Sequence, residues 1–227
     1  MTFRLCLTAF LATIALADSN RVAAQAIVLR SGNGAVGTND SSVTLLVGPT
    51  NGSFTSAFTA ADFTSARTGA AASIIAARPS YLPGLAGDTS AKWITTSTSK
   101  NSALFAINFT LPAGVTAATL DLNYAVDNKL GSSVDQGVFL NGTQISGIST
   151  GSGFGSEQSL TRNDIGSLLV AGTNTLYLSM TDNGGPTGLI FRATITPVPE
   201  PTGLLLGGLG VAAAVRLRRS FRRPAVA

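Results

Sequence analysis

Residues 117–126, AATLDLNYAV, alternate along the chain: Leu120, Leu122 and Tyr124 share one face, with Asp121 and Asn123 on the other. A period of two predicts a half-buried β-strand. ALFAINFTL (103–111) has the same character and is closed by Pro112 and Gly114. GVFLNGTQI (137–145) is two short apolar runs about Asn141-Gly142, the dipeptide of a tight hairpin. NTLYLSMTD (174–182) and GLIFRATIT (188–196) are two further strands, joined by NGGPT. Upstream, IVLRSG, SVTLLVG and AASIIAARP are predicted strands, and AKWITTST (91–98) is a short one led by the sole tryptophan, Trp93. TRNDIGSLLVAGTN predicts a turn or two of helix, with Asn163 or Asp164 as cap and Gly172 as stop. The pattern of GSFTSAFTAADFTSAR decides between neither state, and no helical period of any length precedes the C-terminal region. There is no internal repeat. Many short strands separated by turns predict an all-β fold, an antiparallel β-sandwich over residues 27–196.

Two apolar runs flank that domain. Arg4 and then LCLTAFLATIALA (5–17) form the basic and apolar regions of a secretory signal peptide, residues 1–26, with small-residue cleavage sites ending at Ala17 and at Ala26. Cleavage after Ala26 is the expected one; an uncleaved anchor is the alternative, but the run is short for a span. The second run, 202–215, would rise about 21 Å as a helix against a bilayer core of about 30 Å. It therefore spans only with local thinning or with Arg216 reaching to the headgroups. Arg216, Arg218, Arg219, Arg222 and Arg223 follow it and form a cytoplasmic basic anchor, so the domain lies across the membrane, on the side the signal peptide also demands.

Charge changes the picture only at the ends. The chain has net charge +4, but residues 27–196 hold eight Lys/Arg against nine Asp/Glu, so the domain is close to neutral. A nucleic-acid partner would want a basic patch there, and none is expected. The chain has no histidine, and its one cysteine, Cys6, lies in the leader. Imidazole bases, Ser-His-Asp chemistry, thiol nucleophiles, disulfides and thiolate metal sites are thus excluded for the domain.

The stretch 196–201, TPVPEP, carries Pro197, Pro199 and Pro201, each without an N–H. It is expected to be extended, polyproline-like and exposed, with Glu200 the only charge between domain and membrane. Pro199, Glu200 and Pro201, then a glycine-rich apolar run, then Arg216, Arg218 and Arg219 resemble a PEP-CTERM sorting signal, residues 197–227. Such tails occur on exported proteins of Gram-negative bacteria that make extracellular polysaccharide. The resemblance implies an exosortase, a membrane-embedded transpeptidase-like cysteine protease, as processing partner. It also implies an inner-membrane-tethered precursor that ends at the cell surface or in the matrix, linked to exopolysaccharide or biofilm. A stiff unprocessed spacer would give the same topology.

VFLNGTQI, then NDIGSLLVAGTNTLYLSMTD and GLIFRATI, resemble the last part of galactose-binding-like jelly rolls, and GDTSAKWIT (87–95) resembles a strand opening in exported PEP-CTERM proteins of that type. The implied fold is a jelly-roll sandwich; a sugar ligand does not follow from it.

Candidate chemistry is sparse. Asp127, Asn128 and Asp135 lie on VDNKLGSSVDQG, where oxygen ligands could hold calcium or a ligand, although the spacing is not that of an EF-hand. Glu157, the only glutamate in the domain, would have to pair with an aspartate for glycoside hydrolysis. Trp93, Tyr81, Tyr124 and Tyr177 are candidates for stacking on a sugar or for the core. Asn51, Asn108 and Asn141 match glycosylation acceptors but also fit turns and strands. The chain is expected to be a non-enzymatic surface or matrix protein. A carbohydrate-binding module for exopolysaccharide is the alternative, and a carboxylate-based hydrolase a more distant one.

Overall fold

The computed structural model describes residues 25–113, 115–147 and 153–199. Its elements run β1 (Ile27–Arg30), β2 (Asn39–Thr50), α1 (Ala60–Thr68), β3 (Ala70–Ile75), β4 (Trp93–Thr95), β5 (Asn101–Leu111) and β6 (Val115–Asp127). Then follow β7 (Lys129–Leu130), β8 (Val138–Leu140), β9 (Thr143–Gln144), β10 (Gln158–Arg162), a 3₁₀ turn (Gly166–Leu168), β11 (Gly172–Thr181) and β12 (Gly188–Pro199). Among the described residues the strands form one sheet in the order β10-β6-β12-β4-β3-β2-β5-β11-β8-β9, with β1 on β12 and β7 on β11. The registers described, such as Gly172↔Leu111 to Met180↔Ala103 for β11 and β5, are antiparallel. The all-β, antiparallel expectation holds.

The sheet folds over on itself. Leu120, Leu122 and Tyr124 of β6 and Phe191, Ala193 and Ile195 of β12 share one buried cluster with Phe105, Ile107 and Phe109 of β5 and Leu176, Leu178 and Met180 of β11. These strands lie in opposite halves of the strand order, so one continuous sheet supplies both walls of its own core. The strands alternate as their sequences predict, and the outward residues form two smaller cores. Tyr81, Leu85 and Ala91 cover Trp93, Ala125 and Ile190 outside one half. α1 and the loop before it cover Leu104, Ala106, Phe139 and Tyr177 outside the other, with Phe54, Phe58 and Phe63 packed in.

α1 resolves the second half of the undecided stretch as helix, leaving residues 52–59 irregular, and corrects the expectation that no helix precedes the tail. Its sequence, AADFTSART, carries little apolar periodicity, and the start is fixed instead by a capping box. Asp62 N–H donates to Thr59 Oγ1, and Thr59 N–H donates to Asp62 Oδ2 at 2.8 Å. The helix ends at Gly69, where a Cβ would stand 2.2 Å from the Leu45 carbonyl oxygen, so only glycine lets the helix end approach β2 so closely. Asn141 and Gly142, both with positive φ (51° and 85°), turn β8 into β9 as predicted. The expected helical turn after β10 is the 3₁₀ turn. Neither Asn163 nor Asp164 caps it: Ile165 holds the N-cap position without a side-chain bond, while Asp164 pairs with Arg162 at 2.7 Å. QSLTR, unassigned from sequence, is edge strand β10, held by pairing to β6 from Gln158↔Tyr124 to Arg162↔Leu120.

Residues 196–199 are extended as expected, but the prolines do not keep them out of the sheet. They complete β12, which stands between β6 and β4, in place of the free polyproline-like segment expected from sequence. Their exposure is corrected at one position: Pro197 is buried, while Thr196 and Val198 are exposed. The alternation of β12 carries through, so Pro197 is buried like Phe191, Ala193 and Ile195. No helix among the described residues is long and apolar enough to cross a membrane. The signal peptide up to residue 24, Glu200, Pro201, the predicted span 202–215 and Arg216, Arg218, Arg219, Arg222 and Arg223 lie outside the described residues.

Candidate functional site

The four aromatics proposed for stacking are all buried. Trp93 Nε1–H donates to the Leu82 carbonyl at 2.7 Å, and its ring packs on Tyr81 with centroids 4.4 Å apart. Tyr124 O–H donates to the Gly147 carbonyl. Tyr81 O–H donates to Asp127 Oδ2 at 2.6 Å, and burial with that bond raises the phenol pKa. Trp93 and Tyr81 hold the 78–91 loop against β6, while Tyr177 packs on Phe63 outside the other half of the sheet.

Asp127 itself is 5% exposed. Burial lifts its carboxyl above the ordinary aspartate range, against the Tyr81 bond and with help from the charge of Asp182. Asn128 Oδ1 accepts from Asn183 N–H. Asp135 is engaged within its loop: Oδ1 accepts from Gly137 N–H at 2.8 Å and Oδ2 from the Ser132 hydroxyl at 2.9 Å. Ser179 Oγ donates to the same oxygen at 3.3 Å. Its pKa too is raised by burial, against these three bonds. Both oxygens of Asp135, Oδ2 of Asp127 and Oδ1 of Asn128 thus accept from protein donors. Among the described residues no group of three or more Asp, Glu, His or Cys side chains is placed to hold a metal.

Glu157 bridges two elements. Its Oε1 accepts from Asn123 Nδ2 and its Oε2 from Ala86 N–H, both at 2.7 Å. No aspartate is bonded or paired with it among the described residues, and its local role is to pin the 82–89 loop to β6. Asn51 and Asn141 stand at turns with φ near 50°, and Asn108 lies in β5.

Two features had no signal in the sequence. On the outer face, Arg30 of β1 and Arg192 of β12 are cross-strand neighbours. Asp88 Oδ2 lies 2.8 Å from Arg30 Nε and 3.9 Å from Arg192 Nε; this oxygen is compensated by charge without hydrogen-bond geometry. The contact joins residues far apart in the chain, which spacing cannot disclose. The second is an open groove of about 460 Å³ between α1 and the β8–β9 hairpin. Its floor is the outward row Thr173, Thr175 and Tyr177 of β11, and Phe63 and Arg67 of α1 line its other side. Strand parity could have placed the threonines and the tyrosine on one face, but the wall exists only because α1 forms.

No curated protein matches the chain. A solved structure, CBM35 from Cellvibrio japonicus Abf62, is similar at 16% identity over 76% of this chain and 97% of its own, with a TM-score of 0.36. Where β12 ends, at the three prolines read from sequence, residues 197–220 match a sorting family. The chain carries a PEP-CTERM protein-sorting motif.

Proposed function

We propose that this chain is the precursor of an exported, non-catalytic surface or matrix protein whose body contacts extracellular polysaccharide. The single observation that carries the proposal is the sorting motif at 197–220, which implies processing by an exosortase. In this account residues 1–26 export the chain. Cleavage after Ala26 leaves β1, which starts at Ile27, complete. The apolar run 202–215 tethers the precursor, and Arg216, Arg218, Arg219, Arg222 and Arg223 keep its end in the cytoplasm. Pro199, Glu200 and Pro201 are the recognition segment. The body is a jelly roll of the galactose-binding-like type, serving as a rigid, nearly neutral module.

The lack of histidine, and of cysteine outside the leader, supports a non-catalytic role, since the usual nucleophile and base pairs cannot be assembled. The engagement of Glu157 with Asn123 and Ala86 supports the same view. Replacing Glu200 with alanine in the producing cell tests the proposal. The expected result is a full-size precursor retained in the membrane fraction. Unchanged size and unchanged surface display would overturn it.

A further inference from the structure

We propose that the groove between α1 and the β8–β9 hairpin binds an acidic polysaccharide, with Arg67 pairing to its carboxylate. The proposal rests on the body facing extracellular polysaccharide, and it names the surface and the chemistry.

The groove is built from both sides of the outer core. Phe63 packs on Tyr177 with centroids 4.8 Å apart and on Phe139 at 5.3 Å, so one wall and the adjoining floor are a fixed aromatic corner. Below Tyr177 the same face of β11 turns polar, with Thr175 and Thr173 following it. The Thr175 hydroxyl donates to Asn108 Oδ1 at 2.7 Å and is buried, so the hydroxyls open to the groove are those of Thr64, Thr143 and Thr173. Tyr177 is 3% exposed and backs the corner, so the aromatic surface open to a ligand is that of the half-buried Phe58 and Phe63. An apolar ring edge beside a row of hydroxyls matches the two faces of a pyranose, whose C–H face packs on aromatics while its hydroxyls bond. The size also fits one or two sugar rings, within the usual range of about 300–1,000 Å³ for ligand sites.

Charge then selects among saccharides. Arg67 stands in the last turn of α1 and lines the groove. It is exposed and makes no ion pair with an acidic side chain among the described residues. No Asp or Glu lines this groove. A guanidinium with open donors beside neutral hydroxyls favours a carboxylate on the sugar, which it can bind with two parallel N–H···O bonds.

The test uses the full-length chain purified in detergent, titrated with alginate and with methyl-esterified alginate, which share a backbone and differ in charge. The wild type should bind alginate about tenfold more tightly than the ester, the difference one charge-assisted contact gives. Arg67→Gln should abolish that preference with an unchanged melting temperature. Thr173→Val, at the exposed hydroxyl of the floor, should weaken both ligands and keep the preference. Arg30→Gln, at the other arginine cluster, should change neither. Equal binding of both ligands, binding of neither, a preference that survives Arg67→Gln, or one lost in Arg30→Gln would each overturn the proposal. Processing of Arg67→Gln in cells is expected to be normal, so a failure of sorting and a failure of this groove are separate results.

Discussion

Asn141 Nδ2 donates to Asn174 Oδ1 at 2.8 Å, joining the β8–β9 turn to the start of β11. Both amides are used further. Asn174 Oδ1 also accepts from Val170 N–H, and its Nδ2 donates to the Val170 and Gly172 carbonyls. Asn141 Oδ1 accepts from Thr175 N–H, and its Nδ2 also reaches the Leu168 carbonyl. Asn174 is 1% exposed and fully bonded, which makes it the fixed point of the segment between β10 and β11.

Asn174→Ala takes away the partner of the Val170 N–H and of the Val170 and Gly172 carbonyls, from a side chain that is itself buried. A loss of about 1–2 kcal/mol follows, since Val170 is exposed and water replaces part of what is lost. Denaturant unfolding should show a lower midpoint with an unchanged slope. A loss under about 0.5 kcal/mol, the level of ordinary surface changes, would remove the amide pair from the account.

At Gly69, valine would drive its Cβ into the Leu45 carbonyl oxygen, 2.2 Å away. Overpacking of this kind costs about 1–3 kcal/mol. Because α1 forms one wall of the groove, Gly69→Val should also weaken ligand binding there, measured in the same titration. A variant as stable as the wild type would contradict the close approach of helix and strand.

Asp127 sets a pH dependence. Its pKa is raised in the folded state by burial, so the folded state binds the proton more tightly than the unfolded chain does. This contribution to stability is present in full below the unfolded value, about pH 4, and is lost as pH rises through the folded value. Asp127→Asn keeps an acceptor for the Tyr81 hydroxyl and removes the titration. The wild-type minus variant difference in unfolding free energy should therefore fall as pH rises from about 4 toward neutrality. A difference that rises with pH would mean that the carboxylate is stabilised, not strained, by its surroundings.

The sorting motif begins inside the last strand: β12 ends at Pro199, and the match starts at residue 197. Part of the matched segment is therefore strand backbone, which a processing enzyme reaches less readily than free coil. A Gly-Ser spacer of about six residues, which behaves as flexible coil, placed after Val198 should speed processing in pulse-chase experiments. Slower or unchanged processing would show that the end of β12 is no obstacle.

The strands were legible because their signal is local. β6 and β12 bury alternate residues over much of their length, β5 and β11 send alternate residues to the inner and the outer core, and Asn141-Gly142 specifies its own turn. α1 was not legible, because its stability comes from the Thr59–Asp62 cap and from Phe63 meeting Phe139 and Tyr177, which are remote in sequence. β10 is polar and exists through its pairing with β6. The candidate residues show the same divide. Asp127, Asp135, Glu157 and the aromatics stood out by type, but their partners, such as Tyr81 for Asp127 and Ala86 for Glu157, are set by the fold. Arg67 stood out by nothing, since an exposed arginine late in a helix is common until the groove beside it is seen.

The central claim is that the mature protein is the β-sandwich body and that the C-terminal residues serve only as an address. Intact-mass spectrometry of the protein recovered from the surface or medium of the producing cell tests it most directly. The account predicts a chain that starts at Ile27 and ends at or near Pro199–Pro201, without the apolar run and the arginines. Recovery of a surface chain that still carries residues 202–227 would contradict it.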